Sequence, residues 1–127
     1  MFKITWSDQE VHADTVDEVE TVLDRADRSS RDEEATLVSV QRVDGRSLSI
    51  GLGRDLSVLS YVGADQNPPY LVSAMSCDAD GTIAFMLHGH YSEFHVRNAI
   101  PMPSARLAMR AFCITGDLST AVSWEET

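Results

Sequence analysis

The sequence predicts an α+β domain with a mainly antiparallel sheet of about six to eight strands and two helices. Short apolar–polar alternations recur along the chain, and only two segments carry helical spacing. No strand–helix–strand alternation of the kind a parallel sheet requires is present. A length of 127 residues and 43% hydrophobic content fit one domain, 1–127, able to bury a core of its own.

The elements follow in chain order. Phe2-Lys3-Ile4-Thr5-Trp6 alternates with the period of a half-buried strand. Thr15 and Glu18 then stand at capping-box spacing, and Val16, Val19, Val22, Leu23 and Ala26 follow on one helical face. Asp17, Glu20, Asp24 and Asp27 line another face, a stripe that Arg25, Arg28 and Arg31 partly offset and that most helices simply present to water. After the polar stretch 29–34, Leu37, Val38 and Val40 lead to Asp44-Gly45, the pair that favours a type I′ hairpin, and Leu48, Ile50 and Leu52 return.

Segments 58–62 and 70–75 read as strands around a loop holding Pro68 and Pro69. Asp80-Gly81 introduces a strand at 82–87, and His88-Gly89 turns it back into 90–95. Pro103 suits the first position of a second helix, with Ala105, Ala108, Met109 and Phe112 inward and Gly116 just past its end. A last strand begins near Thr120 and places Val122, Trp124 and Glu126 on one face, Ser123 and Glu125 on the other. A large aromatic so near a terminus needs a reason; sharing a face with Val122, Trp124 is expected to bury its ring and find a partner for its indole N–H.

Composition narrows the function. A formal charge of −10 opposes direct binding to nucleic acid or to an anionic membrane and attracts a basic protein. The apolar runs are of strand length, far below the roughly 20 residues of a membrane span, and the N-terminal segment has no apolar signal-peptide core, so a cytoplasmic protein is expected. Cys77 and Cys113 are too far apart for a metal knuckle and too few for a disulfide framework; both read as buried thiols.

The stretch HGHYSEFH is the richest in chemistry, because His88, His90, Glu93 and His95 carry donors that zinc accepts. Strand parity sets Glu93 and His95 on the face opposite the first two histidines, so a small metal-binding protein or metalloenzyme built there is the alternative reading, and no metal or other cofactor is expected. GLG at 51–53 lacks a third glycine and a following helix, which favours a bulge or tight turn over a phosphate loop. Asp78, Asp80 and Gly81 lack the rest of a calcium loop. No serine sits on a nucleophile elbow, so no catalytic residue is assigned and the protein is not expected to be an enzyme.

Taken in order, LSIGLGRDLSVLSYV at 48–62, PPYLVS at 68–73, GHYSEF at 89–94, IPMPSARLAMRAFCITG at 100–116 and the terminal VSWEE resemble immunity protein family 1 of bacterial polymorphic toxin systems. Its C-terminal Trp-x-Glu motif falls on Trp124 and Glu126. The resemblance implies an α+β fold and a partner that is a cognate toxin domain, often a nucleic-acid deaminase, neutralised by direct contact. An acidic protein suits the basic, substrate-binding surface of such a toxin. Partner contacts are then expected at Asp17, Glu20, Asp24, Glu93 and Glu126, while Glu126 has a structural alternative, an ion pair with Arg106 or Arg110. Oligomeric state is not readable from the sequence.

Overall fold

Each of the eight strands expected above forms in the computed structural model, which describes residues 1–67, 70–75, 80–87 and 90–126. The order is β1 (Phe2–Trp6), β2 (Gln9–Ala13), α1 (Val16–Asp32), β3 (Thr36–Arg42), β4 (Ser47–Leu52), β5 (Leu56–Ser57), β6 (Leu59–Val62) and β7 (Leu71–Ala74). There follow β8 (Thr82–Leu87), β9 (His90–His95), a 3-10 turn (Val96–Asn98), β10 (Ile100–Pro101), α2 (Met102–Thr115) and β11 (Ser123–Glu126). The His88-Gly89 turn, Pro68, Pro69, Cys77 and Asp78 lie outside the described residues.

The main sheet has nine described strands, in the order β11-β7-β6-β4-β3-β1-β2, with the β8–β9 hairpin joined to β3. Pairing is antiparallel except where Thr36 of β3 meets Met86 of β8. The α+β reading holds. Three strands are not anticipated: the two-residue β5 and β10, which pair with each other apart from the main sheet, and β2, which returns along β1 from Trp6↔Gln9 to Phe2↔Ala13. Its segment, QEVHA, is mostly polar because β2 is an edge strand with little to bury.

Both helices start where the sequence marks them, and α2 also stops there. Thr15 Oγ1 accepts from the Glu18 N–H at 3.1 Å, and Glu18 reaches back to the Asp14 N–H at 3.2 Å, one residue before the cap. Helix α1 runs four residues into the polar stretch, where Ser30 is buried. Helix α2 carries Pro103 in its first turn and ends on Gly116 in the left-handed region, whose N–H bonds Phe112 O at 2.7 Å. Among the described residues no helix is long and apolar enough to cross a membrane.

The two helices cover one face of the sheet. Ile4, Val38, Val40, Leu48, Ile50, Leu52 and Leu59 from the strands meet Val19, Leu23, Ala26, Ala108, Met109 and Phe112 from the helices in the larger core cluster. Strand parity turns Leu37 and Gly51 to the opposite face, where Leu37, Val58, Val72, Phe85 and Ala99 form a second, smaller cluster beneath the β8–β9 hairpin.

The β3–β4 turn differs from expectation. Gly45 has φ of +95° but Asp44 does not have positive φ, so the two-residue type I′ geometry is ruled out. Gly45 N–H bonds Arg42 O at 3.0 Å and Arg42 N–H bonds Arg46 O at 2.8 Å, giving a three-residue loop with the glycine as bulge. The longer loop lets Asp44 accept from Arg46 Nη2 at 2.7 Å and Arg46 N at 3.0 Å. It also aims Arg42 Nη1 at Cys113 O, 2.6 Å away, and Arg46 Nη1 at Gly116 O, 2.7 Å away, so two sheet arginines satisfy the carbonyl end of α2.

A pH dependence follows. The Arg46 side-chain bond, then the Arg46 N–H, hold the Asp44 carboxyl down to about 2. A depressed carboxylate stabilises above its unfolded pKa, and that contribution disappears as pH falls from about 4 through about 2. Asp44→Asn is therefore expected to lower the thermal midpoint at neutral pH and to flatten its decline across this acid window. Parallel midpoint-against-pH curves for the two proteins would refute the assignment.

Candidate partner-binding surfaces

The acidic stripe of α1 is built into a seam with α2. Glu20 Oε2 lies 3.3 Å and Asp24 Oδ1 2.8 Å from Arg106 Nη2, and Asp17 Oδ1 lies 3.5 Å from Arg110 Nη1. The antiparallel run of the two helices produces this order, since rising along α1 from 17 to 24 means falling along α2 from 110 to 106. Asp27 leaves the line, accepting from Arg31 Nε at 3.1 Å and from the Gly53 N–H at 2.8 Å. That last bond fastens the positive-φ turn at Gly53, so of the GLG stretch the first two residues end β4 and the last makes the tight turn.

Exposure grades the seam. The side chains of Glu20 and Arg106 are 29% and 19% exposed, while those of Asp24 and Asp17 are 55% and 89% exposed. Glu20 Oε1 and Arg106 Nε are buried without partners. The inner pair thus ties the helices together, and the outer carboxylates remain accessible to a second molecule.

At the other end of the molecule β11 is held from both sides. Trp124 packs against the helix-side core and its Nε1–H donates to Ser119 O at 3.0 Å, as expected of an anchored indole. The adjacent carboxylate, Glu125, accepts from Asn98 Nδ2 at 2.7 Å and from Arg97 Nε at 3.3 Å. Asn98 is buried and also donates to Ser73 O at 2.9 Å, which fixes its amide. The Asn98 bond above all, with Arg97 and His95 adding to it, holds the Glu125 carboxyl below its ordinary range against the opposing effect of burial.

Glu126 does not pair with Arg106 or Arg110, which α1 engages instead. Its side chain is exposed and makes no hydrogen bond or ion pair with any described residue. It lines a cleft of about 390 Å³ together with Glu93, His95, Arg97, Asn98 and Glu125. Two of the five expected contact residues, Glu93 and Glu126, therefore meet at this cleft, whereas Asp17, Glu20 and Asp24 belong to the helix seam.

Sequence reasoning missed Arg97, Asn98 and Glu125. Alternation does place Glu125 opposite Trp124, but nothing local reveals that Asn98 arrives there from a distant turn. In the histidine-rich stretch, His90, Glu93 and His95 are exposed on β9, and no three His, Cys, Asp or Glu side chains gather into a metal-holding group among the described residues. Cys113 is buried, and burial pushes its thiol up to about 11, which makes it a core residue and a poor nucleophile. The sequence model of the family described as Immunity protein Imm1 matches residues 7–126. No curated protein matches the chain.

Proposed function

The chain belongs to the Imm1 family of immunity proteins, and from that premise we propose that it binds and neutralises a cognate polymorphic toxin domain in the cytoplasm without catalysing a reaction. The toxin is one that acts on nucleic acid, a deaminase or another enzyme of that class, and the immunity protein occludes its basic active-site surface. Beyond the family, the observation that carries this reading is the charge of −10, part of which stays accessible at the outer seam and at the sheet-edge cleft. A nucleic-acid enzyme must expose cations around its substrate channel, and low-dielectric clefts of opposite sign speed the encounter.

The contacts in this reading are Asp17 and Asp24 on the helix side and Glu93 and Glu126 at the cleft. Glu20, held by Arg106, adds to the field more than to direct contact. Co-expression with the toxin domain encoded immediately upstream is expected to restore bacterial growth, with an association rate that falls about tenfold from low to high salt. Asp17→Lys, and separately Glu93→Lys with Glu126→Lys, report which surface faces the toxin through a further fall of about tenfold in that rate. Absence of both rescue and binding would refute the proposal.

A further inference from the structure

Helix α2 is apolar on two sides. Its inner face, Ala105, Ala108, Met109 and Phe112, is buried in the core. Leu107 and Ile114 lie two turns apart on the solvent side, and they are 71% and 58% exposed. Pro103, on the same side by helical spacing, is also exposed. Single exposed leucines need no explanation, but Pro103, Leu107 and Ile114 share the outermost line of a helix in a protein this acidic, interrupted there by Arg110, which is 44% exposed and paired with Asp17, and together they form a surface awaiting cover.

The charges beside the row decide what covers it. Asp24 and Asp17 stand along its α1 side and Asp117, whose side chain is 83% exposed, stands beyond its end at Ile114. Of the cations, Arg106 is taken up by Glu20 and Asp24, and Arg110 by Asp17. A second copy of this chain would bring acid against acid, each molecule carrying −10, and an anionic membrane would be repelled by the same rim.

We propose that the Leu107–Ile114 row of α2 is the apolar centre of the toxin-binding surface, and that its occupant is an apolar patch of the toxin protein ringed by Lys and Arg. The inference rests on the immunity reading and adds to it where the affinity resides. Carboxylates at the rim steer the encounter, while desolvated apolar side chains at the centre hold the complex, the division of labour seen across protein interfaces. The seam draws Arg106 inward and pairs Arg110 with Asp17, so both α2 cations near the row are engaged by α1 carboxylates.

The test is calorimetric titration of the upstream-encoded toxin domain with three forms of the full chain: unaltered, Leu107→Gln with Ile114→Gln, and Val43→Gln. Val43 is 84% exposed in the β3–β4 loop and serves as a distant apolar control. The double variant is expected to weaken binding about tenfold or more, through faster dissociation, at an unchanged thermal midpoint, and Val43→Gln to leave binding unchanged. Equal binding by the unaltered chain and the double variant would overturn this surface while leaving immunity intact. No binding by the unaltered chain would overturn both. A dimer in sedimentation that the double variant dissolves would assign the row to self-association and overturn the inference.

Discussion

Phe85→Ala is expected to destabilise the protein by about 3–5 kcal/mol, the usual cost of emptying the site of a buried aromatic. Phe85 is fully buried on the sheet face away from the helices, and it is the most deeply buried of the side chains, with Ile83, Leu87 and Phe94, that fasten the β8–β9 hairpin to the rest of the sheet. Backbone pairing alone is a weak attachment there, since β8 touches β3 at the one position Thr36↔Met86. The ring lies against Gly51 so closely that a Cβ there would stand 2.5 Å from its carbons. Gly51→Ala must therefore push the ring out or bend β4, at about 1–3 kcal/mol. Because the clash needs both partners, the two losses are coupled: in the Phe85→Ala background, Gly51→Ala should cost close to nothing. Urea unfolding of the four proteins measures this, and simple additivity would show that Gly51 is required for some reason other than the ring.

Gly51 also illustrates where sequence reading stops. The periods of two and of 3.6, the capping residues and the Asp-Gly pair are local signals, and they locate eight strands, both helices and the inner face of α2. Why β4 tolerates no side chain at 51 depends on a phenylalanine from another hairpin, which no local pattern encodes. The same holds for the end of α2, which has no basic residue in its last turn and borrows Arg42 and Arg46 from the sheet. The turn between β3 and β4 was misread for a related reason: Asp-Gly fits both a type I′ turn and a bulged loop, and the tertiary bonds of the two arginines accompany the second.

The candidate site was legible in its charge and not in its pairing. The stripe at 17, 20 and 24 is visible as spacing, yet the cations that meet it lie on α2, and only the antiparallel packing of the helices shows that the inner members are engaged while the outer ones stay open. At the C-terminus the motif directs attention to Glu126, whereas the carboxylate with structural partners is Glu125. Period-two alternation separates the two residues onto different faces, and it takes the position of Asn98 to tell which one the fold uses.

Trp124→Ala is expected to cost about 3 kcal/mol, toward the lower end for aromatic truncation because the ring is only partly buried. The side chain does two things for a strand of four residues at the edge of the sheet. Its ring covers the helix-side core, and its indole N–H satisfies Ser119 O in the loop that leads into β11. On the other face Glu125 is clamped by Asn98 and Arg97, so removal of the indole leaves β11 fastened from one side only. Trp124→Phe separates the two contributions, since it keeps most of the apolar area and forfeits the hydrogen bond, and about 1 kcal/mol is expected from it. Hydrogen exchange should then show amide protection lost first across the β11–β7 pairs in Trp124→Ala, before the central strands respond. An unfolding curve unchanged by Trp124→Ala, together with lost toxin binding, would move this residue from the core to the interface and would shift the toxin-contacting surface from α2 to the sheet edge.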